Sequence, residues 1–598
     1  MILTALNNYY DRLVENDKGD VPPFGFSSEK ISCCIVIDTN GQMVDVYPLG
    51  TGGTNKSISL IVPKNEGRSG SKIFPFFLWD KTSYVLGLTG KPGSERDRAI
   101  ETFNAFKMFH KENISSCDDE GLQALVKFLD GWNPNDQELT KDFPPNFLDK
   151  NVVFKLDGEN KYLHQRKASI DIYGNLISKS ENHRVQCLVT GRKQAPARLH
   201  PKIKNVDDAQ PAGANLVSFK QDSFQSYGKF QGDNAPVSEK AVFAYGSALN
   251  YLLRRESSNK QRLKIGDATV VFWAESSSSE ETELAESFLS FGLAPKSEAD
   301  SDDEQTQVLL DDLVKVAKGR PVTELGLALN PETRIYILGL APNNARLSVR
   351  FWHVDTLEHF ARCLSEHYQD LYLEPQRWKQ PPAIWRLLSE TVPHREGSKP
   401  KLDDVAPQLA GELTRAILTG RRYPRSLLTN LIMRMRADGD LSPLRIALCK
   451  AVLVREARLN SQHNKEIPVS LDTDNDNPGY LLGRLFSTLE SVQIDALDGA
   501  VNASIKDRFY GAASATPATI FPMLLRNAQN HFGKLRKSKP GLAVSLEKQI
   551  TEVIGRLPAE FPKTLGLEEQ GRFAIGYYHQ RSEKFKKRET EIEEGDSE

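Results

Sequence analysis

Residues 31–63 read ISCCIVIDTNGQMVDVYPLGTGGTNKSISLIVP, and the fold of the N-terminal region turns on how Gly50–Ser57 is taken. A phosphate-binding loop has the form G-x-x-x-x-G-K-[ST]. It leaves a strand and opens a helix whose first amides hold the anion. GTGGTNKS has the first Gly, Lys56 and Ser57 in register, but Asn55 stands where the second Gly belongs. Directly behind it, SISLIVP is β-branched and ends in Pro63, which is strand sequence and not a helix start. Ahead of it, ISCCIVID and MVDVYPL flank Thr39-Asn40-Gly41, and Asn-Gly supports the positive φ of a tight hairpin turn. The stretch therefore reads as a hairpin followed by a third strand in a meander, not as a nucleotide pocket.

Working outward, Ile2, Leu3, Leu6, Tyr9, Tyr10 and Leu13 fall at helical spacing. A polar loop, PKNEGRSGSK, follows the third strand. Helices are predicted over about 95–110 and through GLQALVKFLDGW, and a β-rich segment over 150–190. Ser238 is a candidate N-cap for a helix carrying Ala241, Tyr245, Ala248, Leu249 and Leu252. ATVVFWA is a strand. RIYILGLAPNNARLSVRFW reads as two strands about Pro342-Asn343-Asn344, the second alternating Arg346, Ser348, Arg350 with Leu347, Val349, Phe351. Beyond 401 the pattern is almost wholly helical. The predicted class is α+β: mixed N-terminal (1–210) and middle (211–400) regions with antiparallel β-hairpins, then an all-α helical bundle (401–598). An acidic, mobile insertion is expected near 275–304.

The 598 residues carry a net charge of −2, which hides its distribution. Residues 411–460 hold ten Lys or Arg against four Asp or Glu, and 501–588 hold sixteen against seven. Residues 275–304 hold ten acids and one Lys. Local excesses of +6 and +9 keep a nucleic-acid partner in play whatever the total, because local patches matter more than the sum. No apolar run reaches the roughly 18 residues of a membrane helix, and the N-terminus has no basic start or long apolar stretch. A cytoplasmic protein with no membrane partner is expected. Six scattered cysteines without a CxxC pair, and histidines without HExxH or H-x-x-x-H spacing, point to no disulfide framework, no metal site and no cofactor. Dispersed carboxylates could still form a nuclease site without a linear signature, so an enzyme using them or the 50–57 loop stays the alternative reading. A single-strand binder acting alone is a third.

Four stretches go further: CLVTGRKQAPARLHPKI (187–203), LVSFKQDSFQSYGKFQGDNAPVSEKAVFAYGSALNYLL (216–253), RIYILGLAPNNARLSVRFWH (334–353), and NPGYLLGRLFSTLE (477–490) with EQGRFAIGYYHQR (569–581). Together they closely resemble the large subunit of the type I-C (Dvulg subtype) CRISPR surveillance complex, from Met1 to Arg581. The resemblance implies a non-catalytic subunit of an RNA-guided interference complex. Such a subunit reads the protospacer-adjacent motif in target double-stranded DNA and helps open it. It sits at the guide RNA handle beside the backbone and handle-binding subunits, and helps recruit the helicase–nuclease. The block from about Asn477 to the end resembles the small subunit.

Candidate contacts follow from charge and ring placement. Lys64, Arg68, Ser69 and Lys72, with Asn55 and Lys56, sit in polar loops that suit either a groove contact or a solvated surface. Phe219–Phe230 interleaves Lys220 and Lys229 with Tyr227 and three Phe, which fits stacking on a single strand or an ordinary core. Arg346 and Arg350 share one predicted strand face. In the C-terminal region, Lys534, Arg536 and Lys537 cluster, and Arg484, Arg508 and Arg526 lie on predicted helices. They form either a phosphate-binding face or solvated helix surface.

Overall fold

The structure, a computed structural model, describes residues 1–16, 21–50, 57–64, 73–141, 143–178, 184–276, 278–293, 304–326, 329–376, 378, 380–394, 400–401, 404–460, 467–499 and 502–595. The chain forms two units, Met1–Ile203 with Asn215–Tyr251, and Lys204–Ala214 with Leu252–Glu598.

In the first unit a helix, Ile2–Glu15, precedes a four-stranded sheet ordered Met43–Pro48, Cys33–Ile37, Asn151–Leu156, Trp79–Lys81. The hairpin about Asn40-Gly41 is present, with Cys33–Ile37 antiparallel to Met43–Pro48. Asp38 Oδ1 accepts from the Asn40 and Gln42 amides at 3.0 and 2.7 Å, and Gly41 takes φ +81°. A Cβ on Gly41 would lie 2.5 Å from the Phe128 amide nitrogen, so the turn is pressed against the helix Glu120–Gly131. Ser57 leads into a strand, Ile58–Pro63, where a phosphate loop needs a helix.

Two expectations change here. Ile58–Pro63 does not extend the hairpin as a meander: it pairs with Phe26–Ile31. That partner, FSSEKI, is polar along most of its length, so hydrophobic alternation gives no sign of it. The β-rich reading of 150–190 holds for Asn151–Leu156, but KASIDIYGNLIS, Lys167–Ser178, is a helix. Its Ala168, Ile172, Tyr173 and Leu176 pack on the core at helical spacing, which overrides the strand preference of its isoleucines. Cys33–Ile37 pairs in parallel with Asn151–Leu156, across the intervening helices.

His110, on the helix Ser94–Ile114, anchors this core. Its Nε2 accepts the Leu78 amide at 2.8 Å, so the ring proton sits on Nδ1 and is donated to Phe106 O at 2.8 Å. Leu78 has φ +63°, uncommon for a non-glycine residue, and this bond satisfies its amide. Burial pushes the His110 imidazole down to about 4.

The second unit begins with antiparallel strands Arg262–Ile265, Ala268–Glu275, Arg334–Asn343 and Arg346–Thr356, joined at the last turn by Asn344 at φ +54°. Of the stretch 275–304 expected to be an acidic mobile insertion, residues 277 and 294–303 lie outside the described residues, and the part before them holds a helix, Ser279–Leu293, with Ala285, Phe288 and Leu289 buried. Two of its acids are used locally. Glu281 accepts from Ser276 and Thr333 at 2.5 Å, and Glu286 accepts the Ala274 amide at 3.0 Å. The acid count masked the apolar stripe.

Helices then cover the sheet and continue as one apolar core. Asp370, on Leu357–Leu371, is 1% exposed and joins two arginines of Pro443–Leu459. Arg455 Nε and Arg458 Nη1 each reach its carboxylate at 2.7 Å, and Lys450 Nζ donates to its carbonyl at 3.0 Å. The Arg455 guanidinium lies 4.2 Å over the Tyr423 ring. Farther on, Pro478–Ala496 packs on Leu567–Gly595, with Ile505–Ala515, Pro517–Ser538 and Pro540–Arg556 around them. A Cβ on Gly483 would meet Phe573 O at 2.1 Å, and one on Gly576 would meet Tyr480 O at 2.2 Å. These glycines belong to the paired stretches 477–490 and 569–581, which are the two sides of one backbone crossing. Among the described residues no helix is long and apolar enough to cross a membrane.

Gly483→Ala should destabilise the chain by about 2 kcal/mol or more, because backbone and not a flexible side chain fills the space. Gly533→Ala, in open space on the helix Pro517–Ser538, should stabilise by roughly 0.5–1 kcal/mol; urea titration of both variants checks the contrast. The His110 linkage has a definite sign. Its folded pKa lies below the unfolded value, so the unfolded chain binds the proton first and stability is lost as pH falls from about 6.5 toward 4. The expected slope is up to about 1.4 kcal/mol per pH unit from this group. His110→Gln should flatten the dependence of the melting midpoint over that interval.

Candidate nucleic-acid interface

Of the loop candidates, Asn55, Lys56, Arg68, Ser69 and Lys72 lie outside the described residues. Lys64 is exposed at the end of the strand Ile58–Pro63, with its amide on Gly25 O at 2.8 Å.

The motif stretches 187–203 and 216–253 are folded onto each other in the first unit. Leu188 N bonds Pro236 O, Ala197 N bonds Val237 O, and Glu239 N bonds Ala195 O. A Cβ on Gly232 would meet Ala197 O at 2.0 Å. The Cys187 sulfur accepts the amides of Val189, Thr190 and Ser238 at 3.2–3.4 Å. Burial acts to raise this thiol, but hydrogen bonds from Thr190 and Ser238 outweigh it and bring it down to about 7. Ser238 also caps the helix Glu239–Leu252 as expected, its Oγ accepting the Ala241 amide at 3.3 Å.

On this base stands the loop between Gln221 and Asn234. Tyr227 is 99% exposed at φ +52°, Phe230 is 67% exposed, and Lys220 and Lys229 are exposed beside them in sequence. One carboxamide shapes the loop. Asn234 Oδ1 accepts the Ser226 amide at 3.0 Å, and Nδ2 donates to Lys229 O and Gln231 O at 3.1 and 3.0 Å. Asn234 therefore holds the backbone turn. A residue in a sparsely allowed backbone conformation at a solvent-facing tip, in a turn held by the Asn234 carboxamide, presents its ring already placed for contact.

Arg346 and Arg350 do not share an uninterrupted face. The register shifts between Gly339 and Leu340, so Arg350 has no opposed residue and the period of two breaks. Val349 is 41% exposed while Leu347 and Phe351, expected on the same face, are buried, and Arg350 turns to an ion pair with Asp267. Arg484 is also displaced from its expected role. It is 2% exposed and spent within the bundle, on Gln580 Oε1, the Asp472 and Thr473 carbonyls, and Glu552 Oε1 at 3.1–3.4 Å. Arg536 is exposed but paired with Glu547.

The remaining four candidates stay open to solvent. Arg508 lies on Ile505–Ala515, and Arg526, Lys534 and Lys537 on Pro517–Ser538; none has an ion pair among the described residues. Arg526, Asn530, Gly533 and Lys537 succeed one another at four, three and four residues, so they run along one line of the helix, with Lys534 beside it. This unpaired line on a rigid element is suited to phosphates at several successive positions. Asn527 and His531 on the same helix were not singled out from sequence, and isolated polar residues on a predicted helix carry no signal that would have done so.

Asn234→Ala should speed amide exchange at Ser226 by about tenfold or more, since three bonds of roughly 1 kcal/mol each depend on that carboxamide. Tyr227→Ala should leave that exchange unchanged, because the ring touches nothing that holds the turn.

A search of curated proteins finds no match to the chain. A family model described as CRISPR-associated protein (Cas_Csd1) matches residues 6–585. That span takes in the hydrogen-bonded motif pair of the first unit, the bulged strand pair, the glycine crossing and the basic helix line together, and the chain belongs to the Cas_Csd1 family of CRISPR-associated proteins.

Proposed function

We propose that this chain is the non-catalytic large subunit of a type I-C RNA-guided interference complex. In this reading it recognises the protospacer-adjacent motif in duplex DNA, aids strand opening, contacts the guide RNA handle and the displaced strand, and helps recruit the helicase–nuclease. Membership of the Cas_Csd1 family over residues 6–585 supports the setting. The structural observation that carries the binding role is the unpaired basic line of Arg526, Lys534 and Lys537 with Arg508 on the adjoining helix. Phosphate contacts of that kind position a strand without reading its sequence. Motif reading falls to the N-terminal unit, where Lys64, Arg68 and Lys72 bracket the polar loop. The segment from Asn477 is the small-subunit-like part. Asn477 caps Pro478–Ala496 by accepting the Tyr480 amide at 3.0 Å, and its Nδ2 reaches Glu569 Oε1 on the last helix at 3.1 Å, which closes this helical block on itself.

The test is duplex binding by the reconstituted guide-loaded complex, with and without this chain, on targets with a randomised flank. The chain is expected to confer a flank preference, and Arg68→Glu with Lys72→Glu to abolish it. Arg526→Glu with Lys534→Glu should weaken binding to all flanks alike and lower the salt slope by about one for each phosphate no longer neutralised. Unchanged affinity and preference on removing the chain would exclude the reader role.

A further inference from the structure

Between the helices Pro478–Ala496, Ile505–Ala515 and Pro517–Ser538 lies a partly open cavity of about 200 Å³. Part of its lining is apolar. Leu489, Leu524 and Ala528 are buried, and the half-buried Phe509 ring lies beside them. The rest is polar and unspent. Gln493 Oε1 accepts the Ile505 amide at 2.8 Å, which fixes the carboxamide and leaves its NH2 group to donate elsewhere. The Asn527 carboxamide has no hydrogen-bond partner among the described residues, and Arg508 has no ion pair among them. His531 Nδ1 is shielded from solvent and unbonded. Burial and the nearby Lys534 ammonium lower that imidazole, so it is neutral at pH 7, with one nitrogen to donate and one to accept.

We propose that this cavity receives one base, unstacked from a single-stranded nucleic acid that lies along the Arg526–Lys537 line. The inference rests on the strand-binding reading of that face. Size, chemistry and charge support it separately. An apolar cavity of about 150 Å³ holds a benzene ring, so about 200 Å³ takes a single ring with polar substituents, which favours a pyrimidine. Two carboxamides and a neutral imidazole offer the mixed donors and acceptors that read the hydrogen-bonding edge of a flipped base, and Phe509 offers an aromatic face. The unpaired cation Arg508 lines the same opening and the Lys534 ammonium lies near His531, where the phosphates flanking an extruded base would lie.

The experiment measures binding of the full chain, in a Tyr227→Ala background so that the exposed loop adds no stacking. The probes are fluorescent oligothymidylate, oligouridylate and a fully abasic strand of equal length. The base-bearing strands should bind about tenfold tighter than the abasic one. Ala528→Leu, which fills the cavity, should bring that ratio close to one without changing abasic affinity. Asn527→Ala with His531→Ala, at positions outside the buried core, should do the same and guards against a folding defect in the filled variant. A gain on either sugar supports the pocket, and the larger gain identifies the strand. A ratio near one in the parent protein, or a ratio that survives both cavity variants, overturns the inference. Arg526→Glu with Lys534→Glu should weaken all three strands together. If it does so while the cavity variants are silent, the face stands and the pocket falls. If it weakens none, the face itself is wrong and the pocket goes with it.

Discussion

Pro478–Ala496 and Leu567–Gly595 meet backbone to backbone, and the C-terminal half of the molecule is built around that approach. Gly479 and Gly483, one turn apart, face Glu569 and Phe573 from one side, and Gly576 faces Tyr480 from the other. A methyl group at Gly483 or Gly576 has no room, so helix propensity yields to fit: each glycine costs up to about 1 kcal/mol in an isolated helix and is kept because the crossing needs it. Polar groups reinforce the approach at both ends. Glu569 accepts from Asn477 and the Gly479 amide, and Glu490 accepts the Tyr577 hydroxyl at 2.5 Å and the Ser504 hydroxyl at 2.8 Å. With these two helices fixed, the helices of the basic line have a rigid support, and the cavity between them keeps its shape.

Burial decides what each cation does. Residues 411–460 carry an excess of +6, yet three of their ten cations are buried. Arg445 and Arg455 are fully buried and paired with Asp438 and Asp370, Lys450 is turned to a carbonyl, and Arg458 shares Asp370. Removing one partner from such a pair strands the other charge in a low dielectric, so these groups are fixed by the fold and closed to a nucleic-acid strand. The excess over 501–588 is of another kind. Its Arg508, Arg526, Lys534 and Lys537 face water without acidic partners among the described residues, where their hydration costs nothing to keep and a phosphate can replace it. Charge counted along the chain overstates both patches, since Arg536, Lys539, Arg556, Arg572 and Lys584 are also held in ion pairs.

The first unit achieves exposure by a different route. Its motif segments 187–203 and 230–239 exchange backbone hydrogen bonds and are pinned at Gly232, which makes a firm platform under the loop. Asn234 then commits both ends of its carboxamide to the loop backbone, and Tyr227 is left at the tip with its ring in solvent. Ordering is thus supplied by one side-chain amide, and the aromatic is free for a ligand. The same division, rigid base and open tip, recurs on the helix Pro517–Ser538.

Much of this was readable in one dimension. The α+β class, the turn at Asn40-Gly41, the strand after Ser57, the Ser238 cap and the helical C-terminal region follow from alternation, helical spacing and turn chemistry, because those signals are local and the backbone obeys them locally. The residues of the exposed loop and the basic helix line were also legible as residues, through ring and charge placement. What the tertiary structure alone decided depends on partners far apart in the chain. The pairing of Ile58–Pro63 with a polar strand, the parallel pairing of Cys33–Ile37 with Asn151–Leu156, and the bulge that turns Arg350 to Asp267 are such choices. So is the fate of Arg484, which from sequence is a helix-surface cation like Arg508. An arginine has the same letter in a solvated stripe and in a buried clamp, and the difference lies in whether carbonyls and carboxylates from other segments surround it once the chain has closed.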